Sequence, residues 1–385
     1  MGQAQCASTL PRAENFPPSR RWHARIDLHR SHAARRPHRL HDHLHRSPRQ
    51  PHRRFPRTAW HLGTITGRTM TRKIVQRAFG GPEELSLIDA PPLTHADLAP
   101  GEVLVAATAA SINPIDIMTR TGGGMAAVGI ISVPYTPGWD VAGTVEAVGE
   151  SVEGFDIGQR VMGLLNFPHP GSAYASQVIA RAEDLIAVPD NLSDIQAGAL
   201  PMAAMTAWQA FADTTSVSPG QRVLITGAGG GVGHFAVQIA HHLGAHVVAI
   251  ASSGKHEWLK SLGADETIDY RDESSVAGLE GSIDVALSLA EGSRHTALRA
   301  VKPGGTLIGL GGGAGDIGSD AGAAGIRFEA THVHTQREWL EKVTELAAQG
   351  ELIPTVSKVF DLASAADAYR AVESGHSTGK IVLAI

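Results

Sequence analysis

The chain has 385 residues, 43% hydrophobic and 18% charged, which is enough apolar material for roughly two to three domains and excludes wholesale disorder. Its single cysteine, Cys6, excludes a disulfide framework, a multi-cysteine zinc site and an iron–sulfur cluster. No apolar run approaches the ~18 residues that cross a bilayer, so no membrane partner is expected.

The net charge of −5 hides a split. Residues 1–69 carry 14 Arg and no Lys against Glu14, Asp27 and Asp42, and so leave −16 on the 316 residues from Met70 onward. The first stretch also holds nine histidines and seven prolines with few aliphatic residues, a composition expected to be a disordered tail. An Arg-rich leader can target an organelle, but prolines at 37, 48, 51 and 56 would break the amphipathic helix this needs. A basic arm can bind nucleic acid. The preferred reading is an upstream stretch with Met70 as the true start, which leaves a cytoplasmic protein without a nucleic-acid partner. His41, His43 and His45 alternate within a His-rich tract and are read as composition rather than a metal site.

From Thr71 the texture changes. Lys73–Gln76 and Leu85–Ile88 read as strands about a Gly80-Gly81-Pro82 turn, followed by strands at Glu102–Ala109, Val141–Gly149, Arg160–Leu164 and Ala175–Ala180. Short strands separated by Gly and Pro predict a β-rich, barrel-like unit over about 72–190. Asp194–Ala212 reads as mostly helical despite Pro201. Then strand and helix alternate: strand Val223–Thr226, helix from about Val232 to Leu243, strand Val247–Ile250 and helix Lys255–Leu262. Strands Glu266–Ile268, Ile283–Leu287 and Gly305–Gly309 continue the series, which predicts βαβ units and a parallel sheet. From about Arg337 come a helix, a β-like Thr355–Phe360, a helix Ala363–Ala371 and a last strand Lys380–Leu383.

Between the strand at 223–226 and its helix lies Gly227-Ala228-Gly229-Gly230-Gly231-Val232-Gly233. With Gly230 and Gly233 as the second and third fingerprint glycines, Ala228 takes the first place. Gly230 then lets the backbone approach a pyrophosphate, and Gly233 lets the helix close on the sheet. The helix N-terminus adds unpaired N–H groups, so Ala228 through Gly233 are candidate dinucleotide ligands. At the end of the next strand an NAD enzyme usually carries Asp or Glu. Here the chain reads Ala251-Ser252-Ser253-Gly254-Lys255. Hydroxyls and an ammonium favour a 2′-phosphate, hence NADP(H); the competing reading is that Ser252, Ser253 and Lys255 only cap and solvate a helix start.

The order of these units resembles the medium-chain dehydrogenase/reductase superfamily. Ala110–Asp116, Pro137–Gly143, Thr206–Ala210 and Ser261–Asp265 are similar to its zinc-independent quinone oxidoreductase branch. The resemblance covers residues 70–385. It implies an α/β fold: a GroES-like catalytic domain (70–192, completed by 337–385), a Rossmann cofactor domain with a doubly wound parallel sheet (193–336), and usually a homodimer. By the same resemblance Asn113, Asp116 and Thr206 face the nicotinamide end of the cleft. Lys255 and Tyr270 hold the 2′-phosphate, and Leu310 and Gly311 line the nicotinamide loop. For Asp116 a purely structural carboxylate is an equal alternative. Zinc-dependent relatives have a cysteine where Asn113 falls and a histidine where Trp139 falls, so no metal is expected. The branch's tyrosine two residues after the Asp is Met118 here, although Arg120 is kept; Tyr135 and Tyr174 are the remaining phenols to consider.

Without a Lewis acid, hydride transfer favours an acceptor that is already electrophilic, a quinone or an α,β-unsaturated carbonyl. The alternatives are an enoyl-thioester reductase and a non-enzymatic NADPH-binding sensor.

Overall fold

The computed structural model describes residues 70–290, 292–310, 317–331 and 333–385. The expectations for the tail at 1–69 and for Gly311 lie outside these residues.

The first lobe begins with an antiparallel pair, β1 (Thr71–Gln76) and β2 (Leu85–Ala90). Then β3 (Glu102–Ser111) leads into the short helices α1 (Pro114–Arg120) and α2 (Gly124–Ala127). After these come β4 (Asp140–Val148), β5 (Arg160–Leu164), β6 (Gln177–Arg181) and β7 (Leu185–Ala187). Close approach explains two glycines of this lobe. A Cβ at Gly143 would fall 2.2 Å from the Ala106 carbonyl of the neighbouring strand, and one at Gly163 would fall 2.1 Å from the Asp184 carbonyl.

The predicted helix over 194–212 is two helices, α3 (Asp194–Ala199) and α4 (Pro201–Trp208), followed by a π-turn over Gln209–Asp213. Pro201 is why: it sits in the first turn of α4, where its missing N–H costs nothing.

A second lobe follows: β8 (Arg222–Thr226), α5 (Gly233–His242), β9 (His246–Ala251), α6 (His256–Ser261), β10 (Glu266–Asp269) and α7 (Glu273–Ala277). It continues through β11 (Ile283–Ser288), α8 (Arg294–Ala300), β12 (Val301–Leu310), α9 (Ile317–Ala323) and β13 (Arg327–Thr331). All six strands are parallel, in the order β10-β9-β8-β11-β12-β13. This is the doubly wound arrangement, with its topological switch between β8 and β11, where ligands bind beyond the strands' carboxyl ends. The buried strands read as continuous apolar runs because helices cover both faces.

The chain then returns through α10 (Arg337–Ala348), β14 (Val356–Asp361), α11 (Ala365–Glu373) and β15 (Lys380–Ala384). β15 pairs antiparallel with β3 and parallel with β14, so the end of the chain completes a seven-stranded sheet, β14-β15-β3-β4-β5-β7, with β6 also on β3. The fold is α/β, a mixed-sheet GroES-like lobe beside a Rossmann lobe. None of the described helices is long and apolar enough to cross a membrane.

Candidate active site

The glycine loop sits at the switch point. Gly227 turns with φ +65°, Gly230 N–H donates to Gly227 O at 3.0 Å, and Ala228 N–H to Ile250 O at 3.2 Å. A Cβ at Gly233 would lie 2.3 Å from Gly227 O and 2.7 Å from Ala228 Cα, so only glycine lets α5 start this close to the turn. At Gly230 the nearest such atom, Gly227 O, is 3.3 Å away, a tight approach but no overlap. His234, one residue into α5, is buried. One ring nitrogen lies 3.0 Å from Gly230 O and the other accepts from Thr355 N–H at 3.2 Å. Burial lowers its pKa to about 4, consistent with a neutral ring that donates through Nδ1 and accepts through Nε2.

The end of β9, where the adenosine is expected, is more crowded than the residue types imply. β9 and β10 end side by side, Ala251 paired with Asp269, and Ser252 and Tyr270 are the next residue of each. Tyr270 is exposed, with the Arg271 guanidinium 5.0 Å over its ring. Asp269 accepts from Ser253 N–H at 3.0 Å and from Arg271 N–H at 3.0 Å, and the Arg271 backbone bond holds its carboxyl below the usual range. This acid was not anticipated, because it arrives from the neighbouring strand. Lys255 Nζ donates to Ser377 O at 2.9 Å, with Gly229 O at 3.5 Å, and partial burial lowers its pKa. It ties the glycine loop to the returning segment.

Asn113 caps α1 and is almost wholly buried. Its Nδ2 donates to Asp140 Oδ2 at 2.9 Å, and its Oδ1 accepts from Lys380 Nζ at 2.5 Å. Asp140 also accepts from Ser111 Oγ at 2.5 Å and from Met202 N–H at 2.8 Å, which joins β3, β4 and α4. Thr206, on α4, donates to Met202 O at 2.7 Å, leaving its oxygen able to accept. A chain of contacts therefore runs from Thr206 through Met202, Asp140, Asn113 and Lys380 to Gly231, where a Cβ would meet the Lys380 Cδ at 3.2 Å. Asp140 and Lys380 were not among the candidates read from sequence. The available signal was a charged residue heading an otherwise apolar strand.

Asp116 accepts from Asn113 N–H at 2.8 Å, closing the start of α1 as a capping acid does. Its Oδ1 is buried without a partner among the described residues, and burial, reinforced by Asp140, raises its pKa to about 7. Both phenols lie within the electrostatic reach of Asp116, whose carboxyl the Tyr174 hydroxyl helps to hold down. Tyr174 is fully buried, donates to Ser111 O at 3.2 Å and packs edge-on against Tyr369, while Tyr135 bonds Gln76 Oε1 at 3.2 Å. Arg120 is internal as well, paired with Glu373 and lying 5.5 Å from the Tyr369 ring. Met118 is solvent-exposed. Trp139, the residue before Asp140, is buried, its indole N–H donating to His169 O at 2.7 Å. Leu310 ends β12, its carbonyl 3.2 Å from Arg294 Nη2.

A family model described as an alcohol dehydrogenase GroES-like domain matches residues 99–190, and one described as a zinc-binding dehydrogenase matches residues 262–383. The 2-methylene-furan-3-one reductase of Solanum lycopersicum is 34% identical over 297 residues, spanning 74% of this chain and 72% of the relative. The chain belongs to the medium-chain dehydrogenase/reductase superfamily. The NAD(P)H oxidoreductase RTN4IP1, mitochondrial, of Bos taurus is 31% identical over 324 residues, covering 74% of this chain and 82% of its own. The solved quinone oxidoreductase from Coxiella burnetii superposes with a TM-score of 0.76 at 32% identity, over 82% of this chain and 99% of that one. The resemblance read from the motifs therefore holds: the chain is a quinone-oxidoreductase-like member, an oxidoreductase that works with a nicotinamide dinucleotide.

Proposed function

We propose that this medium-chain reductase uses NADPH to reduce a quinone or an α,β-unsaturated carbonyl without zinc. The observation that carries the reading is what surrounds Asn113. The carboxamide oxygen is bound by an ammonium, and Trp139, the residue before Asp140, gives its indole N–H to His169 O and offers no lone pair to a metal. These residues do not fit a catalytic Zn²⁺, whose charge would also oppose Lys380. Among the described residues no group of three or more His, Cys, Asp or Glu is arranged to hold a metal ion.

The glycine loop from Ala228 to Gly233 would hold the pyrophosphate against the start of α5, and Ser252, Ser253, Lys255 and Tyr270 would hold the adenosine 2′-phosphate. When bound, the dinucleotide supplies the hydride. Residues 70–192 with 337–385 would form the catalytic side of the cleft, and 193–336 the cofactor side. As hydride reaches the distal carbon of a conjugated acceptor, charge develops on the carbonyl oxygen. The second Nδ2 hydrogen of Asn113, the one not given to Asp140, would stabilise that oxygen. Water would return the proton.

The test is a screen of the full chain for oxidation of NADPH with quinones, enones and enoyl thioesters, with and without a strong zinc chelator. Turnover with quinones or enones that survives chelation is expected. Loss of activity on chelation, or a strong preference for enoyl thioesters, would replace this reading. Light scattering on the same sample tests the homodimer expected of the family.

A further inference from the structure

The Asn113 carboxamide lies between two buried groups of opposite charge. Asp140 as a carboxylate only accepts and Lys380 as an ammonium only donates, so together they dictate which way the amide faces. Neither clamp is free to swing. Asp140 is held by Ser111 and Met202. The Lys380 ammonium has a second anchor at Ile112 O, 3.1 Å away, and its main-chain N–H donates to Thr355 O at 2.8 Å. Gly379 N–H donates to Gly229 O at 3.1 Å, and the Lys380 stem faces Gly231, so the lysine is seated against the cofactor loop while its head reaches Asn113. Lys380 is 3% exposed. Burying an ammonium is costly and lowers the Lys380 pKa, and the nearby Asp140 carboxylate offsets part of that cost.

We propose that Lys380 is a positioning residue for hydride transfer: its ammonium holds the Asn113 carboxamide in the one orientation that turns an Nδ2–H toward the acceptor oxygen. The inference rests on the role given to Asn113 under the proposed function. Its physical content is that an amide free to rotate would present Oδ1 to the developing oxyanion in part of the population. There it would repel the charge it is meant to stabilise. Contact with Gly231 links the clamp to the cofactor loop, so cofactor seating and amide orientation are set by one side chain.

The test uses Lys380→Met, which keeps an unbranched stem and removes the ammonium. The double variant K380M/D140N, referred to D140N alone, keeps the buried site free of an unpaired charge. In both comparisons kcat is expected to fall about tenfold or more while the KM for NADPH stays within about threefold. The orientation itself is read by labelling asparagine nitrogens in the full chain, which has only four: Asn15, Asn113, Asn166 and Asn191. The Asn113 side-chain pair is assigned by its loss in N113A. In the wild-type protein one of its two protons should be protected from solvent exchange; the pair should shift in both lysine variants and lose that protection in K380M/D140N, where the carboxylate is gone as well. Unchanged kcat overturns the proposal, as does a fall in kcat with the Asn113 resonances unmoved. Should the variants fail to fold, rapid exchange of both Asn113 protons in the wild type overturns it instead. If the wild type reduces no quinone or enone, the proposed function fails, and the resonances still decide whether Lys380 sets the amide.

Discussion

Two glycines of the loop at 227–233 separate its packing role from the binding role proposed for it. In Gly233→Ala the new methyl would stand 2.3 Å from Gly227 O and 2.7 Å from both Ala228 Cα and Ala228 O. All three atoms are backbone, so no side chain can rotate away. Either α5 or the turn after β8 must move by about 1 Å to restore ordinary contact. Overpacking of this kind costs about 1–3 kcal/mol. In Gly230→Ala the nearest atom, Gly227 O, is 3.3 Å away and the residue has no left-handed φ, so the loop need give by only a few tenths of an ångström and stability should fall less than in Gly233→Ala, by under about 1 kcal/mol. If the pyrophosphate approaches the backbone at Gly230, however, the methyl occupies its place. The Kd for NADPH should then weaken about ten- to hundredfold, which is about 1.4–2.7 kcal/mol. Urea denaturation and a fluorescence titration with NADPH, run on both variants, give the two readouts. A Gly230→Ala protein that binds NADPH like the parent would refute the assignment of Gly230 as the pyrophosphate glycine. A Gly233→Ala protein of unchanged midpoint would refute the close-packing argument.

Asn113→Ala should lower kcat/KM roughly ten- to hundredfold with quinone or enone, about 1.4–2.7 kcal/mol of transition-state stabilisation, as measured by steady-state kinetics. Lys255→Ala should weaken NADPH far more than NADH in fluorescence titrations, and equal affinities for the two in the parent protein would already contradict the assignment. Asp116, with its pKa raised to about 7 by burial, keeps its proton in the fold over a range where the unfolded chain has lost it. Its contribution to stability is therefore full in acid and is lost as pH rises from about 4 to about 7, by about 4 kcal/mol in the limit. Asp116→Asn keeps an acceptor for Asn113 N–H and cannot titrate, so its stability relative to the parent, from urea curves, should grow over that range. His234 has the opposite sign. Its pKa is lowered to about 4 by burial, so the unfolded chain takes up a proton first as pH falls. Stability should be lost between about pH 6.5 and 4, by up to about 3 kcal/mol, and His234→Gln should flatten this dependence.

Most of the second lobe was legible because its determinants are local. A buried parallel strand is a short apolar run, and a dinucleotide turn is a cluster of glycines between such a run and a helix, so β8, the loop and α5 are read from some twenty consecutive residues. What escaped was short or polar. α1 opens on Pro114 with a mixed sequence, and β13 is an edge strand, Arg-Phe-Glu-Ala-Thr, without an apolar run to betray it. The helices α7 to α9 span only five to seven residues each.

The network around Asn113 escaped for a different reason. Its members meet from 27 and 267 residues away, distances across which spacing carries no information. Two of them nevertheless left a trace. Asp140 heads a strand that continues Val-Ala-Gly-Thr-Val, and Lys380 heads one that continues Ile-Val-Leu-Ala. Each is drawn into the core by the strand it leads, and a lone buried charge costs several kcal/mol unless something answers it. One acid and one base in this position therefore imply each other. Whatever polar group lies between them has its donor turned to the acid and its acceptor to the base, and in this protein that group is the carboxamide at the start of α1.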